Sequence, residues 1–220
     1  MPWAGLNNFA IDREYVRRAE AALPGFRANA QINRAFLGRV VRGLARAGIE
    51  QFLDIGSGMP TLGNVHEVAQ RAAPPARVVY VDADPITVAH SQAILAGQPG
   101  VRILEADLRR PAGIVFHPEV NELLDFSQPV AVLMTAVLHF ISDADDPAGI
   151  IAQLREVLAS GSYVAITHVA PTPEFEEQLA ALQRLYRQTP TPFHLRTPER
   201  IAQLLTQGHV KMTQRVGLSR

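Results

Sequence analysis

Hydrophobic and polar positions change period along this chain, and the changes mark out its elements. A first helical pattern begins near Asp12, a suitable N-cap, and stops before Pro24-Gly25. In a second, Ile32, Phe36, Leu37, Val40, Val41 and Leu44 form one apolar stripe, and Gly48 closes it as a C′ glycine. The pattern then shortens into β-branched, mostly apolar runs. These are Gln51 to Ile55, Arg77 to Asp82, Val101 to Leu104, Pro129 to Met134 and Ser162 to Thr167. Helical segments separate them, at roughly 62–72, 86–96, 118–125 and 147–159, the last capped by Asp145 or Asp146 with Pro147 in its first turn.

Nearly continuous apolar strands alternating with helices predict an α/β fold with a central, mostly parallel sheet covered on both faces. Ligands of such sheets bind beyond the carboxyl ends of the strands, where the strand order reverses. The two early helices predict an N-terminal helical cap over residues 1–48, ahead of a sheet domain over 49–220. After the fifth run a helix is predicted near 174–188, broken by Thr189-Pro190-Thr191-Pro192. Thr197-Pro198 then opens another helix, and Val210 to Val216 reads as a last strand.

Composition narrows the possible chemistry. The formal net charge is zero, so the chain lacks the cation excess of a general nucleic-acid binder. There are no cysteines, which excludes disulfides, thiolate metal sites and cysteine nucleophiles. Lys211 is the only lysine. No stretch approaches a membrane span and no signal peptide is visible, so a cytoplasmic protein is expected. No histidine pair has metal-ligand spacing, so no metal is expected.

Candidate chemistry gathers after the strands. Asp54-Ile55-Gly56-Ser57-Gly58 follows the first one. Glycines let a backbone turn sharply and approach a ligand. A dinucleotide loop would carry a third glycine, but that position is Thr61. Asp54 would repel a pyrophosphate, whereas it suits the amine-bearing methionine end of S-adenosylmethionine. Asp82 ends the second run and can accept both ribose hydroxyls; Asp84 either shares that role or caps the following helix. Asp107, before Leu108, follows the third run and can accept from the adenine amine. Thr135 to Phe140 follows the fourth, where a methyl acceptor would meet the cofactor. Within it His139 is a candidate general base or a packed ring, and His168, past the fifth run, has the same two readings. His66 and Glu67 either point toward the glycine loop or lie on a helix surface.

Phe52 to Thr61, followed by Gly63-Asn64-Val65-His66-Glu67-Val68-Ala69, resembles a family of bacterial S-adenosylmethionine-dependent methyltransferases long listed as a domain of unknown function. Val78 to Pro85, Ala136 to Phe140, Asn8 to Glu14 and Asn33 to Leu37 resemble it too. The resemblance implies a Rossmann-like class I methyltransferase with S-adenosyl-L-methionine as cofactor. Asp54, Gly56, Ser57, Gly58, Asn64, Asp82, Asp84, Asp107, Leu108 and Thr135 are the expected cofactor residues. The expected acceptor is the O or N of a small molecule, with no nucleic-acid or membrane partner. Family members run further at the C-terminus, so the antiparallel seventh strand is expected to be missing. Two rival readings are a non-catalytic S-adenosylmethionine-binding protein and an NAD(P)-dependent oxidoreductase. Asp54, Thr61 and the lack of a Tyr-x-x-x-Lys pair oppose the second.

Overall fold

The five apolar runs become five parallel strands. A computed structural model describes residues 17–21, 23–60, 63–187, 189 and 191–206. The strands are β1 (Gln51–Ile55), β2 (Arg77–Asp82), β3 (Val101–Glu105), β4 (Ala131–Thr135) and β5 (Tyr163–Thr167). They lie in the order β3-β2-β1-β4-β5, and every neighbouring pair is parallel. Among the described residues no strand pairs with the outer edge of β5. The strand expected at Val210 to Val216, the N-cap expected at Asp12, Thr61 and Lys211 lie outside the described residues.

The helices are α1 (Phe26–Arg46), α2 (Val65–Ala72), α3 (Pro85–Leu95), α4 (Pro111–Val115), α5 (Pro118–Asn121), α6 (Pro147–Glu156), α7 (Glu176–Tyr186) and α8 (Pro198–Thr206). Strand periodicity sorts side chains alternately onto the two faces. Phe52, Val78, Tyr80 and Leu133 pack under α1, α2 and α3. Leu53, Val79, Val132 and Met134 pack on the other side against α4, α5, α6 and Leu204 of α8. The inner strands β1 and β4 are buried on both faces, which is why they read as continuous apolar runs, whereas the edge strand β5 is only partly covered. A third cluster forms away from the sheet, where Ala19 and Leu23 meet Leu179, Leu182 and Phe193.

Caps follow local chemistry. Asp146 accepts from the Gly149 N–H at 3.0 Å and starts α6. Thr197 Oγ1 accepts from the Arg200 N–H at 3.3 Å at the start of α8. Two expectations need correcting. The helix expected over 118–125 is only the short Pro118–Asn121, and an unexpected short helix, Pro111–Val115, precedes it, each opened by its proline. The stripe on α1 is not buried throughout: Ile32 is 47% exposed, since packing on the sheet side begins only at Leu37.

One buried polar side chain fixes the entry to β4. Gln51 is 2% exposed. Its amide nitrogen donates to the Asp125 carbonyl at 2.9 Å, and its oxygen accepts from the Asp125 N–H at 2.7 Å. Gln51→Leu should therefore lower stability by about 2 kcal/mol, because it strips partners from two backbone groups. Urea unfolding measures this; a loss under about 0.5 kcal/mol would show that water replaces the amide.

Candidate functional site

β1 sits where the strand order reverses, between β2 and β4, and the crevice at its carboxyl end is where an open α/β sheet takes a ligand. The loop after β1 is stitched to the end of β2. Gly56 and Ser57 donate to the Val81 carbonyl at 2.8 and 3.1 Å. The Gly58 N–H donates to Asp82 Oδ2 at 2.8 Å, and the Asp84 N–H donates to Asp82 Oδ1 at 3.0 Å. Each carboxylate oxygen keeps a second lone pair. Gly56 and Gly58 have φ of 73° and 63°, the left-handed region that favours glycine. The two glycines differ in their surroundings. A Cβ at Gly58 would meet nothing within 4 Å, whereas one at Gly56 would lie 2.6 Å from Val137 Cβ. At Gly56 the close approach expected of a ligand is thus already made by Val137.

Beside the loop is a small, partly open pocket lined by Arg34, Asp54, Ser57, Gly58, Asn64 and Tyr80 among others. Asp54 is 3% exposed. Burial pushes its carboxyl up to about 7; nearby Arg34 works against that shift and Asp82 adds to it. Arg34 reaches in from α1 and donates to Asn64 Oδ1 at 3.1 Å. Asn64 Nδ2 donates to Glu67 Oε1 at 3.0 Å, and Glu67 Oε2 accepts from the Gly63 N–H at 3.0 Å. His66 does not lie on a helix surface. It is 5% exposed, its N–H donates to Tyr80 Oη at 2.9 Å, and its Nδ1 is 2.8 Å from the same hydroxyl. The start of α2 is therefore pinned to both α1 and β2.

The remaining acids sit around the crevice in different states. Asp84 caps α3: its carboxylate accepts from the Ile86 and Thr87 N–H groups and from Thr87 Oγ1. Asp107 accepts from the Arg109 N–H at 2.9 Å and pairs with the Arg109 guanidinium at 3.0 Å. Both partners are more than a third exposed, so this pair adds little stability. Leu108 is buried in the core, which leaves only its backbone for a ligand. Thr135 ends β4 opposite Thr167 of β5, and Thr167 Oγ1 accepts from the Ala136 N–H at 2.9 Å.

The turn after β4 carries His139, 4% exposed and packed against Phe140, Phe193 and His168. Burial, helped by nearby His168 and Arg196, pushes its pKa down to about 3. Its buried Nδ1 has no hydrogen-bond partner. Burial likewise lowers His168 to about 4. Efficient general bases have pKa values near the working pH, and both rings are far below it.

A family model described as S-adenosyl methyltransferase matches residues 3–212. The chain belongs to the S-adenosyl methyltransferase family. A candidate methyltransferase from Thermobifida fusca is 40% identical, with a TM-score of 0.87 over 93% of this chain and 76% of that one. A DUF574 family protein from Streptomyces avermitilis is 39% identical, with a TM-score of 0.85 over 93% of this chain and 79% of that one. A plantazolicin methyltransferase solved with S-adenosylhomocysteine shares the fold at 13% identity, with a TM-score of 0.54 over 89% of this chain and 66% of that one. No curated protein matches. S-adenosylmethionine is thus this methyltransferase's cofactor.

Sequence reasoning missed three buried or pocket-lining residues: Arg34 and Tyr80 beside the loop after β1, and Arg196 beside the turn after β4. Arg34 and Arg196 belong to helices and loops far from the glycine motif, and nothing local distinguishes them from other arginines. Tyr80 sits inside an apolar strand, where an aromatic residue reads as core.

Two expectations follow. Gly56→Ala should cost roughly 2–4 kcal/mol, from the left-handed backbone plus overlap with Val137. Adding Val137→Ala should recover part of that loss in a double-mutant cycle followed by urea unfolding. Strict additivity would show that the two residues do not touch. For Asp54 the folded pKa, about 7, lies above the ordinary value of 3.8. Burial therefore costs nothing below the unfolded value, and the cost grows with pH until it is complete above about 7. Asp54→Asn should raise stability at pH 8 by on the order of 3 kcal/mol and leave it unchanged near pH 3. Thermal melts at both values check this, and an equal effect at both would refute the buried charge.

Proposed function

We propose that this methyltransferase holds the methionine end of S-adenosylmethionine between Arg34 and Asp54 and passes its methyl to the O or N of a small molecule. The observation that carries the reading is the pairing of a buried carboxylate with a guanidinium in one pocket. Asp54 is uncomfortable as a charge in its own right, and an ammonium group is the partner that would relieve it. Arg34 suits the α-carboxylate of the same amino acid. These residues fit the cofactor.

Gly56, Ser57 and Gly58 supply a backbone with little side chain in the way. Asp82 takes the ribose hydroxyls on its free lone pairs. Asp107 and the backbone at Leu108 flank the adenine, while Asn64 keeps Arg34 aimed and Asp84 holds the rim through its cap. Bound S-adenosylmethionine supplies a methyl on a sulfonium, with a good leaving group already in place. The protein's work is then alignment, which can carry much of the rate. Thr135 and His139 line the acceptor side. His139 serves there as a neutral hydrogen-bonding ring, because its Nδ1 is unpartnered and its basicity is low. His168 supports it from behind.

The zero net charge supports a small-molecule acceptor over a nucleic acid. The reading extends to the bacterial cytoplasm. Among the described residues no helix is long and apolar enough to cross a membrane.

Calorimetry with S-adenosylhomocysteine tests the site. The native chain should bind, and more tightly as pH rises through about 7, because the bound amine favours ionised Asp54. Asp82→Ala should cost roughly 1.5–3 kcal/mol of binding and erase discrimination against a 2′-deoxy analogue. The second readout matters because Asp82 also holds Gly58. No binding, or a variant that still discriminates fully, would overturn the assignment.

A further inference from the structure

We propose that Arg196 is a positioning residue of the methyl-transfer site, clamping the turn after β4 so that Val137 stays seated against Gly56 of the cofactor loop. The inference rests on the reading that this loop holds S-adenosylmethionine. A guanidinium has five N–H donors, and here each one is used. Nε donates to Asp143 Oδ1 at 3.0 Å. One terminal nitrogen donates to Asp143 Oδ1 and to the Ile141 carbonyl, both at 2.7 Å. The other donates to the Leu138 carbonyl at 2.9 Å and to His168 Nε2 at 3.1 Å. His168 Nδ1 lies 2.7 Å from the Val169 carbonyl, which can only accept, so the proton sits on Nδ1 and Nε2 receives Arg196.

The Arg196 side chain is 2% exposed, whereas its counter-ion Asp143 is 65% exposed. Burying a guanidinium against a half-solvated partner is a poor source of stability, which an apolar side chain would supply as well. What the rigid fork does provide is one defined arrangement of the groups it touches. Those groups are the carbonyls of Leu138 and Ile141, on the turn that carries His139.

That turn needs holding. Ala136, where the chain leaves β4, has φ of 56°, a left-handed conformation in a non-glycine residue. Such strain persists only where the surroundings over-determine it. On one side Thr167 takes the Ala136 N–H. On the other, the His194 N–H donates to the His139 carbonyl at 2.7 Å, and Arg196 holds the residues flanking it. Val137 sits between these anchors, against Gly56. Arg196 itself does not line the pocket beside the loop. Its effect on the cofactor is transmitted through Leu138 and Val137.

The test is S-adenosylhomocysteine calorimetry on the full chain, with imidazole NMR as a second readout. Arg196→Gln should weaken binding by about tenfold while the chain still melts cooperatively, the loss expected for charged hydrogen bonds. Arg196→Lys, which keeps the charge but not the fork, should fall between it and the native chain. Arg200→Gln, on the exposed face of α8, should bind normally. In the native chain His168 should show the Nδ1–H tautomer with a hydrogen-bonded Nε2, and the Nε2 resonance should shift in Arg196→Gln, which shortens the donor. If Arg196→Gln fails to fold, Asp143→Asn, changed at an exposed position, should still weaken binding by about threefold. A folded Arg196→Gln that binds normally, a His168 Nε2 resonance that is alike in both proteins, or an unchanged Asp143→Asn where Arg196→Gln is unfolded would each overturn the clamp. A native chain that binds no S-adenosylhomocysteine would overturn the cofactor-site reading and this proposal together. Native binding with normal variants would overturn the proposal alone.

Discussion

A carboxylate buried at the carboxyl end of the central strand is the constraint to which the rest of the site responds. Asp54 lies between β2 and β4, where water cannot solvate it. Ionising it there is costly unless positive charge is near. Arg34 supplies some, and it can do so only because α1 crosses the face that carries Phe52 and Tyr80. Arg34 in turn is aimed by Asn64, Asn64 is held by Glu67, and Glu67 also fixes the Gly63 N–H. One unfavourable charge thus explains why an N-terminal helix, a helix start and a glycine loop meet at a single point. In the proposed reading, the discomfort that remains is what the ammonium group of the cofactor relieves.

A second constraint is geometric. Two chain reversals with left-handed residues, Gly56 after β1 and Ala136 after β4, come together at the carboxyl ends of adjacent parallel strands. Val137 fills the space that a side chain at Gly56 would need. The loop after β1 and the turn after β4 therefore cannot move independently. In a packed interior such contacts transmit displacement rather than absorb it.

Much of the fold was legible in the sequence because parallel strands covered on both faces leave an apolar run with no alternation. The acids were legible for a topological reason: in an α/β sheet every strand of the series ends on the same side, so Asp54, Asp82 and Asp107 had to gather there. The role of Asp84 was not legible. An acid before a proline at the end of a strand looks the same whether it caps a helix or takes a ribose, and only the bonds to Ile86 and Thr87 show the cap. The contact of Gly56 with Val137 was not legible, because the two are remote in sequence. Arg34 and Arg196 were invisible for a similar reason: a buried arginine and a solvated one carry the same letter, and partners such as Asn64 and Leu138 are known only after folding.

The electrostatics of the acceptor side limit the chemistry it can favour. The charge of Arg196 acts on both histidines, yet its donors are filled by Asp143, two carbonyls and His168. It has no bond left for an anionic acceptor. Burial, with a smaller contribution from the same positive charge, keeps His139 and His168 neutral. A neutral imidazole of low basicity can orient an X–H group but gives little help in removing its proton. A nucleophile that must be deprotonated before attack, such as an aliphatic alcohol, would find no strong base in this turn. A neutral amine or heteroaromatic nitrogen already carries a usable lone pair, and it needs only to be held in line with the methyl group. Within the proposed O- or N-methyl transfer, the charge distribution around His139 therefore favours nitrogen.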